Sequence, residues 1–263
     1  MLYLTPALTV YCYCLTALLG LVMGSFLNCL AWRLANGESV SRGRSHCARC
    51  GRPLAPRDLV PLVSWLSLRG RCRYCGEKIS PRYPAVELTA ALAYVSLLAR
   101  YGLSWTALGY GALASVLLAL SLVDLDTQLL PDSLVLAAGL CSLLLLPDAA
   151  GPWYLALARS VGNALAVSLP LLALVLAADK LLGRETMGGG DLKLLFAIGL
   201  SFPWQQNLLL LILACLLGLV LGFVLVRARP GVPFPFAPAL AGAAWLTMLF
   251  GRPVLAWYLS LFY

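Results

Sequence analysis

The chain has 263 residues, of which 61% are hydrophobic and 11% charged, and 19 basic against 11 acidic residues give a formal net charge of +8. Its mean hydropathy is +0.88. A soluble domain needs more charge than this to cover its surface, so composition excludes a water-soluble globular fold and points to an all-α polytopic membrane protein.

The first apolar run, about residues 7–32, has no basic stretch before it. It is too long for a cleavable signal and reads as a retained first span; neither end carries a lipid-attachment signal. Gly20 and Gly24 stand four apart within it, a spacing that lets helices pack closely. Residues 33–83 then form a basic loop. Eleven of the 19 basic residues lie between Arg33 and Arg82, Arg42 among them, against Glu38, Asp58 and Glu77. Beside a span, the positive-inside rule and contact with anionic lipid headgroups explain such a loop more simply than nucleic acid does. The loop is expected in the cytoplasm, with membrane lipid and no nucleic acid as its partner.

Further spans are predicted at about 83–98, 105–123 and 132–146, with Pro131 in the first turn of the last of these. An outer loop (PDAAGPW, 147–153) leads into a span ending near Lys180. Apolar runs follow at about 191–203, 206–226 and 238–250, making about eight transmembrane helices, and residues 253–263 are too short to cross. Threaded this way, sixteen basic residues, Arg229 included, fall inside, and only Arg100, Arg159 and Arg252 fall outside. The expected organisation is a first span (1–32), a cytoplasmic loop (33–83) and a transmembrane core (84–263).

Two Cys-x-x-Cys pairs occupy the basic loop: Cys47/Cys50 and Cys72/Cys75, with 21 residues between them and a glycine after each (Gly51, Gly76). Four thiolates at this spacing close one tetrahedral Zn²⁺ site with no open position. A small loop with few large apolar residues lacks a core of its own, so metal would supply folding energy. A redox or spare-thiol role is the plainer alternative, and His46 reads as a polar loop residue.

The glycine run Met187-Gly188-Gly189-Gly190-Asp191 sits between two apolar runs and opens a new helix. Glycines allow another chain close approach, and a carboxylate at a helix start faces unpaired amides, where a plain N-cap is the bland reading. Asp124 ends an earlier span at the same membrane face, with Asp126 as its rival and Asp132 as an N-cap candidate. Two carboxylates brought together share a proton, so one activates water while the other protonates the reacting carbonyl or leaving amine. Lys193 is placed to hold substrate or tune Asp191, or to act as an interfacial anchor.

Several stretches in order resemble the bacterial prepilin peptidases over essentially the whole chain. They are Gly24-Ser25-Phe26-Leu27-Asn28, the cysteine pairs, Arg82-Tyr83-Pro84 with Val86-Glu87-Leu88, Asp124 to Asp132, Gly188-Gly189-Gly190-Asp191 with Lys193, and Pro233-Phe234. The resemblance implies a GxGD intramembrane aspartic protease of the bacterial inner membrane. It would remove a short basic leader from type IV prepilins and type II secretion pseudopilins at the cytoplasmic face, after a glycine. It further implies N-methylation of the new terminus with S-adenosylmethionine, with the loop 33–83 as the candidate methyltransferase region though no donor-binding residues are identified, and an aspartic peptidase core at 84–263 with Asp124 and Asp191 as the catalytic acids. The family often has a bulky aromatic where this chain has Gly189. A proton-coupled transporter relaying through the two acids, or a scaffold whose zinc loop docks partners, are the other classes open to these residues, although no inverted repeat is evident.

Overall fold

A computed structural model describes residues 5–40, 43–145, 152–228 and 234–262. Arg42, Arg229, Pro233 and the outer-loop residues 147–151 lie outside the described residues. Apart from two isolated antiparallel bridges, the regular structure described is helical, and the chain divides into two compact units, Met1–Gly102 and Leu103–Tyr263.

The first unit contains α1 (Pro6–Ala35), the short α2 (Val63–Ser67) and α3 (Arg82–Tyr101). Pro6 opens α1 where its missing N–H costs nothing, and Thr5 Oγ1 accepts from the Leu8 amide. At the other end Arg33, 7% exposed, donates to the carbonyls of Ser39, Val40 and Gly43, folding the outgoing chain back onto the helix. α1 and α3 meet backbone to backbone. A Cβ on Gly20 would lie 2.5 Å from Ala91 Cα, and one on Gly24 would lie 2.6 Å from Glu87 Cα. Gly20→Ala must force the helices apart and is expected to cost about 1–3 kcal/mol. Thermal unfolding in detergent should register this as a lower midpoint, whereas Gly162→Ala, with nothing within 4 Å of its new methyl, should not lower it.

The second unit holds α4 (Trp105–Thr127), α5 (Asp132–Leu143), α6 (Trp153–Leu182), α7 (Gly189–Gly199), α8 (Trp204–Ala228) and α9 (Ala237–Ser260). α4 packs on α5 and α9, α7 lies against α5, α6 and α9, and α8 lies against α6 and α9. Leu113, Leu120, Leu194, Ile198, Leu210 and Leu240 are fully buried among them. Asn207 ties three segments together, its Nδ2 donating to the carbonyls of Asn163, Gly199 and Phe202 at 3.0–3.2 Å. Leu108, Leu136, Leu174 and Leu219 stand exposed, an apolar exterior suited to lipid rather than water.

Among the described residues, five helices are long and apolar enough to cross a membrane: α1, α4, α6, α8 from Trp204 to Phe223, and α9. Three of the eight expected spans fall short of that standard. α3 has 20 residues but includes Arg82, Glu87 and Arg100. α5 and α7 have 12 and 11 residues, rises of about 18 and 17 Å against a hydrocarbon depth of about 30 Å. Boundaries differ too. α4 runs on to Thr127, so Asp124 lies within its last turn, and Gln128 ends it in the left-handed region (φ 57°). Pro131 caps α5 from outside rather than sitting in its first turn. α9 continues through Pro253 to Ser260, making the last apolar piece an extension of that helix.

Candidate active site and metal centre

Asp124 faces inward from the last turn of α4, only 4% exposed, whereas Asp126 on the same turn points out. Helix geometry separates the two acids: two residues along is about 200° around the axis. Asp124 Oδ2 accepts from the backbone N–H of Ala237 at 2.9 Å. Ala237 opens α9, so the unpaired amide at that helix's N-terminus meets a buried acceptor, as such donors require. Nothing in the composition of Pro235-Phe236-Ala237-Pro238 marks this contact; a backbone donor leaves no residue signature.

Asp191 occupies the third position of α7, and its amide bonds back to the Gly188 carbonyl at 3.1 Å. It is therefore not the N-cap; Gly188 is. The fold brings Asp191 and Asp124 within Coulombic range of each other. The three glycines differ in what they permit. A Cβ at Gly188 would sit 3.3 Å from the Asp191 Oδ2, crowding the carboxylate, and one at Gly190 would meet the Leu130 side chain at 3.1 Å. Gly189 has nothing within 4 Å, which is room for the larger residue the resemblance expects there. Gly189 and Gly190 are already helical, so the run is a helix start rather than an open loop. Lys193 turns away from Asp191: its Nζ pairs with Asp132 Oδ1 at 2.8 Å, linking α7 to α5. Both side chains are exposed, so the pair is worth at most about 1 kcal/mol.

In the first unit, the sulfurs of Cys47, Cys50, Cys72 and Cys75 lie within 4.8 Å of one another, placed to hold one metal ion. Cys47 and Cys75 sulfurs are 3.9 Å apart, close to the roughly 3.8 Å edge of a tetrahedron with metal–sulfur bonds of about 2.3 Å. Each pair sits in the same knuckle. Cys47 N–H donates to Arg52 O and Gly51 N–H to Cys47 O; Cys72 N–H donates to Glu77 O and Gly76 N–H to Cys72 O. Gly51 (φ 68°) and Gly76 (φ 72°) take the left-handed turn that follows the second cysteine. Bridges His46↔Pro53 and Arg71↔Lys78 close the two knuckles, and the amide of Leu54 reaches Ser45 O as that of Ile79 reaches Gly70 O. The bonds of one knuckle thus recur in the other at a constant offset along the chain. His46 is no ligand in this arrangement; it packs edge-on against Trp32 at 5.5 Å.

A hydrogen bond from the Glu77 amide favours the Cys75 thiolate, yet desolvation and the sulfurs of Cys72, Cys50 and Cys47 push that thiol up to about 11. Four thiols this close resist becoming thiolates without a cation among them. Asp58 pins the knuckles from outside. Arg73 Nε donates to it at 2.8 Å and, against the cost of burial, holds its carboxyl below the usual range, helped by the Tyr74 hydroxyl and the Ala55 amide.

Fold and site together define a multi-pass helical membrane protein with two carboxylates at helix ends within Coulombic range of each other and a four-cysteine centre in the other unit. Residues 18–101 match the Bacterial Peptidase A24 N-terminal domain, and residues 111–223 match the Type IV leader peptidase family. A protein of Aeromonas salmonicida (strain A449) named prepilin leader peptidase/N-methyltransferase is 42% identical over 220 residues, covering 82% of this chain and 75% of its own. Proteins of that name from Aeromonas hydrophila (37% identical; 95% and 94% covered) and Pseudomonas aeruginosa (36%; 93% and 92%) match nearly end to end. The chain belongs to the bacterial type IV leader peptidase family. No solved structure matches it significantly.

Proposed function

We propose that this protein is an intramembrane aspartic endopeptidase that removes the basic leader from type IV prepilins and type II secretion pseudopilins and then N-methylates the new terminus. The observation that carries the peptidase reading is the convergence of Asp124 and Asp191 from helices far apart in the chain. In this reading one carboxylate accepts a proton from water as the water oxygen attacks the scissile carbonyl carbon. The other, protonated, donates to the carbonyl oxygen; collapse breaks the C–N bond, and the amine leaves with a proton. The Ala237 amide fixes one oxygen of Asp124 and leaves the other for this work. Gly188 keeps space beside Asp191 open for the substrate backbone.

The four cysteines carry one structural Zn²⁺ that folds the loop 33–83, on the fit of their sulfurs to a tetrahedron. The peptidase machinery falls within the core 84–263, in which α3, α5 and α7 complete eight spans, and the basic loop and acid pair face the cytoplasm of a bacterial inner membrane. When bound, S-adenosylmethionine supplies the methyl group: the N–CH₃ bond forms as the S–CH₃ bond breaks, a neutral thioether leaves, and the amine gives up a proton.

Purified protein in liposomes, given a prepilin-like peptide with a basic leader, a glycine and an apolar helix, tests this reading. Mass spectrometry should find cleavage after the glycine, and a methyl on the product only when the donor is added. An intact peptide would remove the peptidase reading.

A further inference from the structure

Among the described residues between 43 and 81, the exposed large apolar side chains are Leu59, Val60, Val63 and Leu66, each between 43% and 65% exposed. They gather on one short stretch, the turn into α2 and α2 itself. Val63 and Leu66 stand three apart and so share one face of that helix. Apolar side chains scattered singly over a surface need no explanation, but a cluster on an otherwise polar loop marks a contact.

Local structure turns this face outward. α2 is held from its other side: the Leu62 amide donates to Glu87 Oε2 at 2.8 Å, and Trp65 Nε1–H donates to Ile79 O at 3.2 Å. The Trp65 ring covers Gly70, where a Cβ would meet it at 3.0 Å. Leu62 (φ 58°) and Arg69 (φ 51°) bracket the helix in the left-handed region, which L side chains avoid unless surrounding contacts over-determine the backbone. With Leu62 and Trp65 fixed inward, Val63 and Leu66 face away from the fold.

The tether also sets a depth. Glu87 belongs to α3 at its contact with Gly24 of α1, and Gly24 stands nine residues before Arg33, the basic residue in the last turn of α1. Nine residues of helix rise about 14 Å. The loop therefore folds back along the apolar length of α1 rather than resting beyond its end. Near this level Val22 and Phe26 of α1 and Leu88 and Leu92 of α3 are exposed as well, so the two helices present lipid-compatible side chains where the loop does.

Charge fits the same partner. Arg57 and Arg69 are exposed and bracket the patch in sequence, whereas the nearest acid, Asp58, has a side chain only 3% exposed and is taken up by Arg73 and Tyr74. A basic rim around an apolar centre is the pattern of a segment lying in the interface of an anionic bilayer.

We propose that Leu59, Val60, Val63 and Leu66 insert into the bilayer beside α1 and α3, seating the loop on lipid, with anionic headgroups meeting Arg57 and Arg69. The seat uses neither Asp124 nor Asp191 and is independent of the reactions proposed above.

Full-length, zinc-loaded protein with photoreactive p-benzoylphenylalanine in place of Leu66, in vesicles of phosphatidylethanolamine and phosphatidylglycerol, tests the seat. Illumination followed by mass spectrometry should find that position joined to lipid acyl chains. Val63→Asp in the same protein should lower the lipid adduct roughly tenfold or more, because a charge cannot follow the patch into hydrocarbon. Arg57→Gln with Arg69→Gln, or vesicles of neutral phosphatidylcholine, should lower it roughly fivefold or more. Zinc content, measured on each variant, reports that the knuckles remain folded; Val63→Ser replaces Val63→Asp if the latter sheds its metal. Adducts to another segment of this chain or to a second copy would show that protein covers the patch and overturn the proposal. So would the absence of any adduct, which would leave the patch in water, or a lipid yield unmoved by either change at Val63. A yield unmoved by the arginine changes and by neutral lipid would overturn the headgroup contact.

Discussion

Asp124→Asn and Asp191→Asn are each expected to abolish leader removal, by roughly 10²–10⁴-fold or more, while the protein still accumulates in the membrane. Both substitutions are isosteric. In Asp124→Asn the side-chain amide keeps an oxygen for the Ala237 N–H, so the α4–α9 junction stays satisfied and the loss reports on proton transfer alone. In Asp191→Asn the volume beside Gly188 is unchanged. The double variant should be scarcely slower than either single one, because two groups that pass one proton between them fail as a unit. Asp126→Asn, on the exposed face of the same turn, should process substrate normally. Normal cleavage by either of the first two variants would end the dyad assignment, and loss in Asp126→Asn with retention in Asp124→Asn would transfer the role.

Metal removal has the other large expected effect. Purified protein should contain about one Zn²⁺ per chain, and Cys72→Ser, at the buried cysteine of the cluster, should release it. Structural zinc sites of this kind are worth about 10–16 kcal/mol in apparent folding free energy at neutral pH. The knuckles rest on short bridges and on the Asp58–Arg73–Tyr74 contacts, which together supply far less. Stripped protein should therefore be cut rapidly by trypsin at the arginines between Arg44 and Arg73, sites that zinc-loaded protein protects. Acid should release the metal as well, since each sulfur must hold its thiolate form against three neighbours. Zinc-free protein whose loop still resists trypsin would show that the thiols do something else.

The cysteine framework was legible because metal geometry is written in spacing: two residues between thiols, a glycine after each pair. The knuckle repeat behind it was harder to read: between residues 45–54 and 70–79 only the cysteines and that glycine recur, with Arg44/Arg69 and Pro56-Arg57/Pro81-Arg82 just outside, while the matching hydrogen bonds are made by backbone. The apolar runs located every long helix, and the glycine run marked the start of α7. Helix ends were less readable. The apolar stretches around α5 and α7 continue past the residues that stay helical, because hydropathy does not record where a chain turns to pack. Asp124 stood out as an acid beside a span, but its choice over Asp126 needed the helix phase, and its partner at Ala237 is an amide that any residue but proline supplies. Lys193 reads as a neighbour of Asp191 along the chain, yet the helix turns it toward Asp132.

The shortness of α7 has a hydraulic consequence. α7 rises about 17 Å and is joined by a tight connection to α8, whose 25 residues rise about 38 Å. With their joined ends level, the missing length of α7 falls entirely on the side where Asp191 sits, and the 12-residue α5 beside it starts at a similar depth. In a bilayer, lipid tails would not fill a gap floored by carboxylates and glycine backbone, and solvent would. On the proposed reading, the ends of α7 and α5 that carry the acids would then stop short of the membrane surface, and a reaction that consumes water would draw it from bulk without any molecule having to cross oil.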